Sequence, residues 1–238
     1  MSFQGREIAF RLVKSRRRTL ALTLDPEEGL VARVPLGASA RQVDELVLGK
    51  APWVLKHLER LAQEGLPPPP RVYQDGEVFP YLGQDHALTL LRGRAGGRPR
   101  VEPLGGRLLV TLGQDLGPEA RLLAVAGAVA RWYRRQAGLL LPPRAAHFAL
   151  ALGLASPAVR VRDQKRRWGS CNSRGEIHLN WRLVMASPEL MDYVAAHEVC
   201  HLVEPNHSPA FWRLLAGLMP DCLERRQRLN QAGPFLRL

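Results

Sequence analysis

Apolar positions come in short alternating or continuous blocks through the first third of the chain and then shift to helical spacing. "EIAFRLV" (7–13), "TLALTL" (19–24) and "GLVARVP" (29–35) read as strands separated by turn residues, among them "DPEEG". "SARQVDELVLGKAPWVLKHLERLAQ" (39–63) carries a helical repeat with Ser39 as N-cap, and the prolines at 67–70 end it. Strand signals return in "EVFPYLGQDHALTLL" (77–91) and "RLLVTLG" (107–113), on either side of a Gly/Arg loop, "RGRAGGRPR".

From Pro118 the period changes. Residues 118–154 read as one or two helices, interrupted around Pro142–Pro143. "AVRVRDQ" and "EIHLNWRLV" are strand-like, the second preceded by a hairpin signal, "NSRG". Two further helices start at Ser187–Pro188 and Ser208–Pro209, each with a serine N-cap and proline in the first turn. The pattern predicts an α+β chain in two parts. Residues 1–115 form a β-rich region with one helix, and 116–238 a mixed part holding a helix beside a small sheet.

Composition narrows the class. A chain of 238 residues, 46% hydrophobic and 24% charged, has enough material for real cores. The longest apolar run, "LLAVAGAVA", is far below the ~18 residues of a membrane span, and the N-terminus lacks the apolar segment of a signal peptide. Three cysteines without a CxxC pair point to reduced thiols and a cytoplasmic protein. The net charge of +12 would suit a nucleic acid or nucleotide partner, yet only four of the 34 basic residues are lysines. Arginine spread along the whole length reads first as a compositional habit.

The stretch with chemistry is "HEVCHLVEPNH" (197–207), which holds three of the seven histidines. His197 and His201, four apart on a predicted helix, project from one face with Glu198 beside them. This is the H-E-x-x-H arrangement, in which two imidazoles bind zinc and the glutamate reaches a water on the same metal. His207 can fold back as the third ligand across "EPN", with Glu204 as the rival. Three nitrogen donors and an open fourth position describe a catalytic rather than a structural zinc. Cys200, the one nearby thiol, faces away from the histidines.

"RRWGSCNSRGEIHLNWRLV", "MDYVAAHEVCHLVEPNHSPAFW" and "SRRRTLALTL" together resemble the YgjP-like family of zinc metallopeptidases, which is similar in its metal motif to the SprT-like and WLM-like proteases. The resemblance runs through essentially the whole chain. It implies a zincin-like fold for 116–238, with His197, His201 and His207 as ligands to one Zn2+ and Glu198 as general base. A peptide or protein substrate then needs an edge strand to pair with, and Glu176–Trp181 is the expected one. Trp168, Glu176, Asn180, Arg166 and Arg167 are the expected substrate contacts. Lys165, Arg166 and Arg167 also keep open a phosphohydrolase acting on nucleoside triphosphates. Lys14 and Arg16–Arg18 leave room for a DNA-docking role. His178 is expected to be an exposed strand histidine, and Tyr193 to pack.

Overall fold

The computed structural model describes residues 2–3, 6–25, 29–56, 71–113 and 116–238. The chain divides into two compact units, Met1–Pro68 and Pro69–Leu238.

In the first unit, β1 (Ser2–Phe3) and β2 (Arg6–Glu7) form a small antiparallel pair. Strands β3 (Arg11–Ser15), β4 (Ala21–Asp25) and β5 (Gly29–Pro35) make a sheet of order β3-β5-β4. The central strand buries Leu30, Val31, Ala32 and Val34. Helix α1 (Ala40–Gly49) presents Val43 and Val47 to this core, and its capping box pairs Ser39 with Gln42. The expected single helix over 39–63 is broken at Lys50, and helical structure resumes over 51–56. Pro52 explains the break, since it has no N–H to continue the ladder and disfavours helical backbone before it. The remainder of that expected helix and the proline run at 67–70 lie outside the described residues.

The second unit is organised by one helix, α2 (Pro118–Ala151), whose buried stripe runs from Val125 through Trp132, Ala137 and Leu141 to Phe148. It continues through Pro142 and Pro143, where an interruption was expected. The two carbonyls deprived of partners, those of Gly138 and Leu139, belong to exposed residues, where solvent can satisfy them, and Arg144 Nη1 donates to Leu140 O at 2.9 Å. Four strands, β6 (Val78–Tyr81), β7 (Gln84–Arg92), β8 (Arg100–Leu104) and β9 (Arg107–Leu112), form a sheet of order β6-β7-β9-β8. Strand β8 begins at Arg100, the last residue of the predicted Gly/Arg loop.

This sheet shares its core with α2, so the division expected near residue 115 does not coincide with the break between units. Tyr133 Oη donates to Pro80 O at 2.7 Å, and Tyr81, Trp132, Tyr133 and Trp181 pack in succession at tilted or edge-on angles with centroids 4.7 to 6.2 Å apart. Burial of hydrophobic surface outweighs a composition signal that separated strands from helices.

A third sheet, β10 (Val159–Arg162), β11 (Gly169–Cys171) and β12 (Ile177–Asn180), has the order β10-β12-β11. The predicted "NSRG" turn joins β11 to β12 as an antiparallel hairpin. A 3-10 turn, Trp181–Met185, then leads to α3 (Pro188–Cys200), followed by α4 (Pro209–Leu218) and α5 (Cys222–Ala232). Among the described residues no helix is long and apolar enough to cross a membrane.

The β6–β7 turn braces the start of α3. Leu82 N donates to Val184 O at 2.9 Å and Gly83 N to Met185 O at 3.3 Å. Gly83 has φ +76°, and a Cβ there would sit 2.7 Å from Ser187 Cβ. Gly83→Ala therefore combines left-handed strain with a clash at a helix start and is expected to cost at least about 2 kcal/mol. Urea unfolding that shows no lower midpoint than the wild type would contradict this brace.

Candidate active site

Helix α3 carries His197 and Glu198 in its last turn and His201 at its C-cap. The single turn between the two histidines sets their rings 5.0 Å apart, centroid to centroid. The chain then folds back before α4, whose N-cap Ser208 accepts from Phe211 N, and brings His207 Nε2 to 2.9 Å from His197 Nε2. One nitrogen from each of the three rings lies within 4.8 Å of the others. Nitrogens bound at ~2.05 Å on a tetrahedral zinc stand about 3.3 Å apart, so the donor set fits one such ion.

The surroundings keep these rings available. His201 Nδ1 lies 3.0 Å from Glu204 O, which places a proton on Nδ1 and leaves the Nε2 lone pair available to a metal. Glu204 thus contributes its carbonyl and not its carboxylate. Phe211 stacks on His201 at 4.6 Å and meets His197 edge-on at 4.9 Å. Burial, reinforced by the charges of His201, His207 and Arg226, pushes the His197 pKa down to about 3, and the same kinds of cause lower that of His207. Both therefore present neutral lone pairs. Nδ1 of His197 is buried without a hydrogen-bond partner. Cys200 is no rival ligand, since burial, then Cys222, pushes its thiol up to about 12.

Glu198 is 5% exposed. Burial pushes its pKa up to about 7, partly opposed by the positive charge of Arg167. The wall it lies against is strand β11. A Cβ on Gly169 would stand 2.5 Å from Glu198 Oε1 and 2.6 Å from its Cγ. Only glycine lets the carboxylate occupy this place.

A cleft of about 560 Å³ opens on these groups, lined by Gly169–Ser173 and Gly175 on one side and by His197, Glu198, His201 and His207 on the other. Strand β11 is the edge of its sheet and packs on α3, whereas β12 is the middle strand. The expected edge strand, Glu176–Trp181, is therefore displaced by Gly169–Cys171. A hairpin fixes that two strands pair, but not which of them a third strand covers.

Residues 18–232 of the sequence match the family model "YgjP-like, metallopeptidase domain". The chain belongs to this family. Two solved structures are similar to parts of this YgjP-like chain. The metallopeptidase zymogen of Pyrococcus abyssi, abylysin, is 27% identical at a TM-score of 0.35, covering 37% of this chain and 90% of its own. That of Methanocaldococcus jannaschii, jannalysin, is 20% identical at a TM-score of 0.35, covering 38% and 94%. No curated protein matches. Membership makes the chain a metal-dependent hydrolase of the metallopeptidase kind.

Of the substrate contacts expected in this YgjP-like protein, none stands in the histidine cleft. Glu176 is held by Arg160, by His178 at 3.0 Å and by Asn172 at 3.3 Å. Asn180, 3% exposed, donates to Gln164 O at 2.7 Å and Arg167 O at 2.9 Å and accepts from Arg182 N at 3.1 Å, which fixes the loop ahead of β11. Its side-chain amide is taken up by these internal hydrogen bonds. Arg166 and Arg167 line a separate basic pocket of about 450 Å³ with Lys165, Arg182 and Arg237. Trp168 divides that pocket from a smaller one behind Glu198. His178 is half-buried against Glu176 and not exposed as expected. Tyr193 packs, 5.9 Å from the His197 ring.

Sequence reasoning passed over Gly169, although an isolated glycine in a strand signals close backbone approach. Gly169→Ala is expected to lower turnover at least about tenfold by displacing Glu198, a loss within the range attributed to a misplaced general base. Metal content should stay close to the wild type. A full-activity Gly169→Ala enzyme would show that Glu198 does not need this place.

Proposed function

We propose that this chain is a zinc-dependent peptidase that cuts an extended peptide laid along β11, with His197, His201 and His207 holding one zinc ion and Glu198 as general base. The observation that carries the reading is a buried carboxylate wedged against a glycine of an open strand edge, in the same cleft as three convergent imidazoles. A zinc ion held there would supply a Lewis acid for the scissile carbonyl and lower the pKa of a water towards about 7.

The protein groups do the rest. Glu198, with a pKa raised to about 7, is matched to taking a proton from the attacking water and returning it to the departing amine nitrogen as the C–N bond breaks. The backbone of β11 aligns the substrate. Asn180 N donates to Trp168 O at 2.8 Å and Asn172 N to Glu176 O at 3.1 Å, so residues 168, 170 and 172 turn their main-chain groups towards β12. Gly169 and Cys171 consequently turn theirs outward, to the free edge. An added peptide strand would pair with these two residues.

The nucleotide reading rests on the cationic pocket around Lys165–Arg167, but its lining shares no residue with that of the histidine cleft. The geometry favours peptide.

One assay tests the choice. Zinc-loaded wild type and Glu198→Gln are offered a protein and peptide pool and a panel of nucleoside triphosphates, with metal content measured in each. The wild type is expected to cut peptides. Glu198→Gln should lose at least about 100-fold in rate while keeping its metal. His201→Ala should lose the metal itself, together with the ligand-dependent rise in melting temperature. Turnover of triphosphates alone would sink the peptidase reading.

A further inference from the structure

Behind Glu198 the cleft continues into a second, smaller pocket of about 190 Å³. The two share Gly169, His197 and Glu198, so they flank the place where the bond would be cut. Its floor is apolar, from Trp168, Val194 and Leu229. Three polar groups converge on it, Tyr193 from α3 and Arg226 and Asn230 from α5. Positions 226, 229 and 230 are spaced to share one face of α5. The pocket is smaller than the ~300 Å³ at the low end of whole-ligand sites, which suits one side chain of a longer substrate.

Arg226 differs from its neighbours. Arg225 is bound to Asp221 at 2.8 Å and to Glu189 O at 3.1 Å, and Arg228 lies 3.6 Å from Glu189. Among the described residues no carboxylate pairs with Arg226. Its guanidinium instead lies 5.2 Å from the Trp212 ring, which packs beside His207 at 5.9 Å. That stacking holds the cation at the site while leaving its donors free. Its charge is felt by both His197 and His207. Glu198 is the one carboxylate in the lining, and it is turned to Gly169.

We propose that Arg226 reads a carboxylate of the peptide substrate, either an Asp or Glu side chain next to the scissile bond or the free C-terminus, seated in the pocket between α3 and α5. This inference rests on the peptidase reading and names the substrate class of the same site. A guanidinium and a carboxylate match as a planar two-bond pair. A neutral glutamine side chain would leave the charge unmatched.

The test uses binding as well as cleavage. Zinc-loaded Glu198→Gln protein is titrated calorimetrically with acetylated, amidated peptides that carry Glu or Gln at each position of one sequence. A matched peptide with a free C-terminus is run beside them. The expected result is a Glu-over-Gln preference of about tenfold at one position, or the same preference for the free terminus, in keeping with a charge-assisted hydrogen bond at a partly exposed site. Adding Arg226→Gln should bring that ratio close to one, Arg226→Lys should restore part of it, and Arg226→Glu should favour Lys at the same position. Equal affinity for Glu, Gln and both termini overturns the inference, as does a preference that survives Arg226→Gln. If the wild type cuts no peptide but the Arg226-dependent ratio holds, the carboxylate site stands and the peptidase reading falls. Cleavage without discrimination has the opposite meaning.

Discussion

A carboxylate kept out of water needs a wall that leaves it room and a reason to be charged, and the position of Glu198 constrains most of the second unit. At 5% exposure its ionised form pays a desolvation cost that one distant guanidinium, that of Arg167, only partly offsets. The room comes from Gly169, where any side chain would overlap the carboxylate. A glycine in a three-residue edge strand is a weak structural element. Its surroundings have to hold it in place.

That support can be followed outward. Asn180 ties down the loop ahead of β11 with two donated hydrogen bonds and caps the 3-10 turn with its oxygen. The turn carries Trp181 into the aromatic core, where Arg182 and Arg134 lie over its ring at 4.3 and 5.3 Å and both bind Asp163. The same turn accepts the Leu82 and Gly83 N–H groups of the four-stranded sheet. The start of the histidine helix is thus fixed by residues far away in sequence. This explains why the sheet over 78–112 belongs with the site and not with the first unit.

What could be read from the sequence follows from how local each feature is. The histidine helix was legible because spacing four along a helix is a geometric fact, and the caps Ser39 and Ser208 and the "NSRG" hairpin are set within a few residues. Strand order was not legible. Whether β11 or β12 lies at the edge depends on where β10 pairs, and nothing in "RRWGSCNSRGEIHLNW" specifies that. The proline pair at 142–143 misled for a related reason. A helix tolerates a proline more readily where its orphaned carbonyls are exposed, and exposure is a tertiary property. Arg226 was hidden by composition, since one arginine among many shows its difference only when the partners of its neighbours are known.

The edge position of β11 and the free guanidinium of Arg226 bear on each other. With Gly169 and Cys171 turning their main-chain groups outward, a peptide on this edge is aligned by backbone alone, which gives position without sequence preference. Selectivity must then come from side-chain pockets that open beside the aligned strand. Gly169 lines both the main cleft and the small pocket between α3 and α5, so the two adjoin at this strand edge. The residue that frees space for the buried carboxylate of Glu198 is therefore also the one at which the two pockets meet. Its missing side chain leaves the passage open, and in a chain of net charge +12 the passage ends at a cation that no carboxylate among the described residues neutralises.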